Sequence, residues 1–436
     1  MAEFTFGPFR LDTDAPLLTR DGVEVRLRRR AFHALRVLLQ HVGEFVDYDT
    51  LLAEAWDGTH VSHHTIDVTV AEVRRSLGEY GGWLVNRSRI GYALEVPRSE
   101  ELVRQGWHFW TQRTRTGCER AIDCFSRAIA ESPSDFRAFE GLSASYLTLA
   151  IFGMRYPREM YPRFLDAHEQ AVALNGLRPE LRCNRAFGLC VFEHHPDESE
   201  AEFLRTLDEK PSLGSTYVRL ALLYGSLGRF DDALESIGRG KQQDPLLPTL
   251  AACEVLVRCW QREFETAVEL GRQGIELHPY LQVLRVNYAQ ALLSAGRPDE
   301  ALAQYQIASI MSPDVLWLRA LEGACQATLG RRRDARAMLQ GLEALRRSEY
   351  LDAYHMAILH GALGHTDEAL AELDRATAEN SAWLYTLDVD PMLDPLRDQP
   401  RFRRLCGRRR VSLLRPTDHG TLKSLRAARA SEKPET

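Results

Sequence analysis

Five alanines stand 34 residues apart, at Ala233, Ala267, Ala301, Ala335 and Ala369. Each lies in a similar ten-residue phrase: GRFDDALESI, REFETAVELG, GRPDEALAQY, GRRRDARAML and GHTDEALAEL. Gly228, Gly296, Gly330 and Gly364 precede four of them by five residues, and Pro245, Pro279 and Pro313 follow the first three by twelve. A unit of this length cannot bury its own apolar face, so copies must stack on one another. The residue types suit a pair of helices: glycine turns the chain after the first, alanine lets the second approach closely, and proline stops it. ERAIDCFSRAIAESP repeats the spacing more loosely at Ala121, Phe125, Ala128 and Pro133. FGMRYPREMYPR, with Pro157 and Pro162, then interrupts the array before a helix expected at 164–174. Phe152, Tyr156 and Tyr161 make this interruption the most distinctive stretch of the array, able to close over a ligand, to pack on the domain formed by the first hundred residues, or to stand as a surface insertion.

In period and residue types the array resembles the tetratricopeptide repeat. The resemblance implies an all-α superhelix whose concave face, lined by the first helices, takes a peptide or protein partner. LDVDPMLDPLRDQPRFRRL reads as a turn and short helix capping the last repeat. Residues 407–436 are rich in charge and poor in large apolar side chains, so a basic, disordered tail is expected.

The first hundred residues have another rhythm. FTF and FRL alternate around Gly7-Pro8, and LLTRDGVEVRL reads as a hairpin turning at Asp21-Gly22. Phe32, Leu35, Leu38, Leu39 and Val42 then keep helical spacing up to Gly43, and a second helix runs from Asp49 or Thr50 to Asp57-Gly58. In VSHHTIDVTVAEVRRSLG, Ser62 is a helix cap, Ile66, Val70, Val73 and Leu77 make the apolar stripe, and Gly78 is the stop. The opposite face carries His64, Thr65, Val68, Thr69, Glu72 and Arg75, groups able to reach base edges and phosphates in a major groove. WLVNRSRIGYALEV closes the region as a hairpin with a basic turn.

Residues 4–96 resemble the OmpR/PhoB-type effector domain. The resemblance rests on the leading F-x-x-x-x-x-L-D, the tryptophan of LLAEAW, the helix VSHHTIDVTVAEVRRSL and R-x-G-Y-x-L around Gly91-Tyr92. It implies a winged helix-turn-helix whose third helix enters the major groove while the hairpin wing touches the minor groove. Carried over residue by residue, His63, His64, Thr65, Val68, Thr69, Glu72 and Arg75 face DNA, Arg74 lies near the phosphates, and Arg87 and Arg89 belong to the wing. Ala71 and Glu72 stand where members of the family often carry basic residues, which implies a different site and weaker binding. The resemblance further implies direct-repeat sites, a possible dimer on DNA, and a contact with RNA polymerase near residues 57–61. Such families place a receiver domain before this one; with the first strand at residue 4, input is expected from the repeats.

Charge tempers the picture. Residues 1–98 hold 12 Lys and Arg against 14 Asp and Glu, 99–400 hold 32 against 44, and 401–436 hold 11 against 3. The first region is not a basic domain, which argues for selective rather than strong non-specific binding. No apolar run is long enough to span a bilayer and no secretory signal leads the chain, so a cytoplasmic, membrane-free protein is expected. The eight cysteines form no C-x-x-C pair and read as small buried hydrophobes. His60, His63 and His64 lack companion ligands, and His355, His360 and His365, five apart, do not share a helix face. Phosphate-loop, dinucleotide, zinc-helix and nucleophile-elbow motifs are missing, so neither an enzyme nor a cofactor is expected.

The reading is a mainly α chain with a winged helix at 1–98, tetratricopeptide repeats at 99–406 and a tail at 407–436. It is a regulator resembling HilA-like and CadC-like proteins, the latter without their transmembrane segment. The alternative is a non-enzymatic adaptor whose winged helix binds protein.

Overall fold

A computed structural model describes residues 3–413 apart from Asp21, His60 and Arg89, with side chains as far as Gly407. The expected tail therefore lies outside the described residues from 414 onward. The described residues form two compact units, one built on 1–109 with 121–138 and one on 110–120 with 139 onward.

In the first unit, β1 (Glu3–Phe6), β2 (Phe9–Asp12), β3 (Leu17–Arg20) and β4 (Val23–Val25) form an antiparallel meander. Its register pairs Phe4 with Leu11 and Leu11 with Leu18, which brings alternate apolar side chains to one face. That face packs on α1 (Arg29–Gln40), α2 (Tyr48–Ala55) and α3 (His63–Ser76). Phe9, Leu11, Leu35, Leu38, Leu51, Val70, Val73 and Leu77 are fully enclosed. A 3-10 turn, Gly78–Trp83, follows α3 directly, and β5 (Leu84–Arg87) pairs with β6 (Gly91–Leu94) as the hairpin. Sequence periodicity gave no sign of that turn. Gly81 is required in it, because a Cβ there would stand 2.4 Å from the Arg74 carbonyl oxygen. Gly91 is required in the wing: its φ is +143°, and a Cβ would stand 2.0 Å from the Val46 carbonyl oxygen.

Sixteen described α-helices follow, the last twelve paired as six hairpins: α4 (Arg98–Thr111), α5 (Arg115–Glu131), α6 (Phe136–Ile151), α7 (Pro157–Asn175), α8 (Pro179–Val191), α9 (Pro196–Glu209), α10 (Gly214–Ser226), α11 (Phe230–Gln243), α12 (Pro248–Trp260), α13 (Phe264–Leu277), α14 (Gln282–Ser294), α15 (Pro298–Met311), α16 (Leu318–Thr328), α17 (Arg332–Leu345), α18 (Ala353–Leu363) and α19 (Thr366–Glu379). All five periodic alanines are fully buried on the second helices. Gly228, Gly296, Gly330 and Gly364 take φ between 74° and 78° in the turns. At the one copy lacking glycine, Arg262 adopts the same left-handed conformation, φ 70°. That conformation costs roughly 1–2 kcal/mol in a residue with a Cβ, and the Arg262 guanidinium binds Asp394 at 2.9 Å.

The interruption expected at 152–163 is narrower than the prolines suggested. Helix α7 begins at Pro157, where the missing N–H is one that the first turn leaves unpaired in any case, and runs on through Pro162. Only 152–156 remain outside helix, and these residues seal against distant repeats. Trp317 donates to the Phe152 carbonyl at 2.8 Å, and Tyr156 packs on Tyr350 with ring centroids 4.4 Å apart.

The closing stretch also does more than cap. Two 3-10 turns, Ala382–Thr386 and Pro391–Leu396, precede α20 (Pro400–Leu413). Residues 382–396 lie across first helices of several repeats. Tyr385 meets Phe187 of α8 and Trp260 of α12, while Asp390 accepts from Gln290 of α14 and Tyr354 of α18. Arg397 braces the segment from behind by donating to the carbonyls of Asp388 and Asp390. Seven of the eight cysteines are buried, and burial pushes the Cys118 thiol up to about 11.

Candidate nucleic-acid interface

Ser62 caps α3, its hydroxyl accepting from the Thr65 N–H at 3.3 Å. Ile66, Val70, Val73 and Leu77 fill the inner face, which turns His64, Thr65, Val68 and Arg75 outward; Val68 is 50% exposed. His63 is exposed too, but its ring stacks on Tyr48 at 4.5 Å.

Three other members of the expected set point back into the protein. Thr69 is buried, and its hydroxyl donates to the Thr65 carbonyl at 2.8 Å. Arg74 donates to the Leu84 carbonyl at 2.6 Å, which ties α3 to the first strand of the wing. Glu72 accepts from the Arg28 N–H at 3.2 Å, at the start of α1. A carboxylate there is favoured by the unpaired N–H groups and dipole of a helix N-terminus. The same contact brings the Arg28 guanidinium within 4.0 Å of Glu72, with 88% of its side chain exposed. Sequence alone marked Arg28 only as part of an arginine cluster. Nearby, burial and then the charges of Arg36 and Arg29 hold the pKa of His33 below its ordinary value.

A carboxylate of α3 joins the wing and α2 to that helix. Tyr48 and Tyr92 both donate to Asp67 Oδ1, at 2.8 and 2.7 Å. Burial, and then the bond to Asp67, push the Tyr92 phenol far above its usual range, so it stays a donor. Spacing within one helix could not reveal this joint, because the partners lie 19 and 25 residues from Asp67. At the wing, Asn86, Arg87 and Ser88 are exposed, and Arg87 lies over the Phe45 ring at 4.5 Å. Arg89 lies outside the described residues.

The arrangement is a helix with an open outer face, a hairpin bonded to it, and exposed arginines, Arg75 and Arg87, on both. Residues 22–94 match the family model for the transcriptional regulatory protein C-terminal domain, and 282–306 and 353–375 match the tetratricopeptide repeat. A winged helix of the OmpR/PhoB type is fused here to tetratricopeptide repeats. The winged-helix part is similar to the transcriptional regulatory protein CutR of Streptomyces coelicolor and of Streptomyces lividans, 39% identical over 71 residues. That stretch is 16% of this chain and 33% of each relative, so the chain spans about a third of the relatives' length.

Among solved structures, the human IFIT1 dimer with PPP-AAAA is 19% identical, with 81% of this chain and 95% of that one covered and a TM-score of 0.48. Yeast Tom70 is 15% identical, with 91% and 81% covered and a TM-score of 0.44. The type IV pilus biogenesis factor PilW is 14% identical, with 49% and 92% covered and a TM-score of 0.38. No described helix is long and apolar enough to cross a membrane, and no group of three or more described His, Cys, Asp or Glu could hold a metal ion.

Proposed function

We propose that the protein is a sequence-specific transcriptional regulator whose winged helix binds double-stranded DNA and whose repeats bind a partner protein. The open outer face of α3, within a domain matching a DNA-binding family, is the observation that carries this reading. In it, His64, Thr65 and Val68 face base edges in the major groove, with Val68 suited to a thymine methyl. Arg75, Arg87 and Arg28 meet phosphates and set the register. Thr69, Glu72 and Arg74 act one step back, holding Thr65, the start of α1 and the wing in place. The turn at Asp57-Gly58, both residues at positive φ, is the surface offered to RNA polymerase, and two copies bind direct repeats. The partner of the repeats engages surface that residues 382–396 leave uncovered.

Selection of genomic fragments by the full-length protein, followed by footprinting, tests the reading. A protected site that survives excess non-specific competitor, and loses preference at one base step in Val68→Ala, is expected. No retained fragment, with repeats that still recover a partner, would instead make the protein an adaptor whose winged helix binds protein.

A further inference from the structure

The match to the winged-helix family ends at residue 94, yet the end of α3 is held from beyond it. The compact unit that contains the winged helix also takes in α4 as far as Phe109 and residues 121–138. Within it, Glu100 of α4 is only 5% exposed. A carboxylate so enclosed is costly unless a cation meets it. Arg137, in the first turn of α6, supplies one, with Nη1 2.5 Å from Glu100 Oε2. The same guanidinium grips the Asp135 carboxylate with two nitrogens, Nε at 2.9 Å and Nη2 at 2.8 Å. Nη1 also donates to the Tyr80 hydroxyl at 3.2 Å, and the group lies 5.3 Å from the centroid of the Tyr80 ring. A planar fork meets its acceptors in fixed directions only, so these bonds set where the Tyr80 hydroxyl stands.

Tyr80 belongs to the 3-10 turn that follows α3 directly. Its N–H donates to the carbonyl of Leu77, the cap residue of α3, at 3.2 Å. Beside it, Gly81 lies so close to the Arg74 carbonyl that no side chain fits between them. The turn is thus pressed on the last turn of the helix, where Arg75 is exposed. The Tyr80 ring packs edge-on to Phe9 at 5.5 Å and under Arg20 at 5.0 Å, both from the leading sheet. The sheet holds the ring, and Arg137 holds the hydroxyl.

We infer that Arg137 is a positioning residue for α3: through Tyr80 it fixes the end of that helix, so DNA binding depends on a side chain outside the matched winged helix. The inference rests on the DNA-binding reading given above.

The test uses full-length protein and the genomic fragment retained by the selection described above, with affinity measured below every variant's melting temperature. Arg137→Lys keeps a charge beside Glu100 but cannot grip Asp135 and reach Tyr80 together. It should bind the fragment about tenfold more weakly, the scale of one lost charged hydrogen bond. Tyr80→Phe keeps the ring and loses only the hydroxyl, so it guards against a variant that does not fold; a severalfold loss is expected. Arg104→Ala removes an equal charge from an exposed ion pair on α4 and should leave affinity unchanged. Hydrogen exchange in the DNA-free protein should show the amides of residues 74–81 opening faster in the first two variants and not in the third. Wild-type affinity in Arg137→Lys and Tyr80→Phe, whether or not exchange changes, overturns the inference, as does an equal loss in Arg104→Ala. A wild type that retains no fragment fails the DNA-binding reading itself. Faster exchange in the two variants would then still make Arg137 the support of α3, and unchanged exchange would remove it.

Discussion

Helices α3 and α18 are both elements on which their folds would be expected to present a reading surface, and they end in opposite states. Helix α3 buries four residues, Ile66, Thr69, Val70 and Val73, and leaves the rest of its surface at least partly accessible. Helix α18 is buried over every residue from Ala353 to His360. A first helix of a repeat should line an open groove, but Tyr354 of α18 donates to Asp390 and shares a hydrogen bond with the Thr386 hydroxyl of the chain's own closing segment. The amino acids anticipate the contrast. AYHMAILHGAL is apolar all round, as a helix enclosed on every side must be, whereas HHTIDVTVAEVRRS keeps a polar face. A helix that is to meet a partner needs a face no other part of the chain completes.

The largest effect should come from uncovering the repeats. Tyr385→Ala removes a buried ring from between Phe187 and Trp260, and calorimetry should show the repeat region losing about 3–5 kcal/mol. DNA affinity measured below the new melting temperature should not change; a parallel loss would mean the two surfaces are coupled. A second effect, confined to the repeats, depends on pH. His168 is buried, and burial followed by the nearby Arg185 charge lowers its pKa to about 4. The folded state thus binds its proton less readily than the unfolded chain. The stability of the neutral form is intact above about pH 6.5 and is lost as pH falls towards 4, by about 3 kcal/mol in all. Urea titrations of wild type and His168→Leu should diverge in slope across that window and run parallel above it. Parallel curves throughout would remove the histidine from the account.

On the winged helix the effects should be smaller and should appear in binding. Tyr92→Phe deletes one of the two donors to Asp67 and should cost about 1.5–3 kcal/mol of domain stability, with weaker footprints where the wing touches DNA. Undiminished wing protection would show that Tyr48 suffices. Arg75→Ala should weaken every sequence alike and reduce the salt slope of binding by about one unit, a change that gel shifts at several salt concentrations can resolve. Altered sequence preference in that variant would instead place Arg75 on a base edge.

Periodicity alone determined the helical repeats, because a 34-residue spacing of alanine and glycine has few physical solutions other than stacked hairpins. It also determined the inner face of α3, since Ile66, Val70, Val73 and Leu77 can share one side only of a helix. Those features are local, and local geometry is written in residue order. Tertiary structure decided which outward-looking residues stay outward. Thr69 turned in to the Thr65 carbonyl, Arg74 found the Leu84 carbonyl, and Glu72 found the start of α1. It decided also that residues 382–396 return across helices nearly two hundred residues earlier. Such outcomes depend on distances between segments far apart in the chain, which no spacing within a single helix encodes.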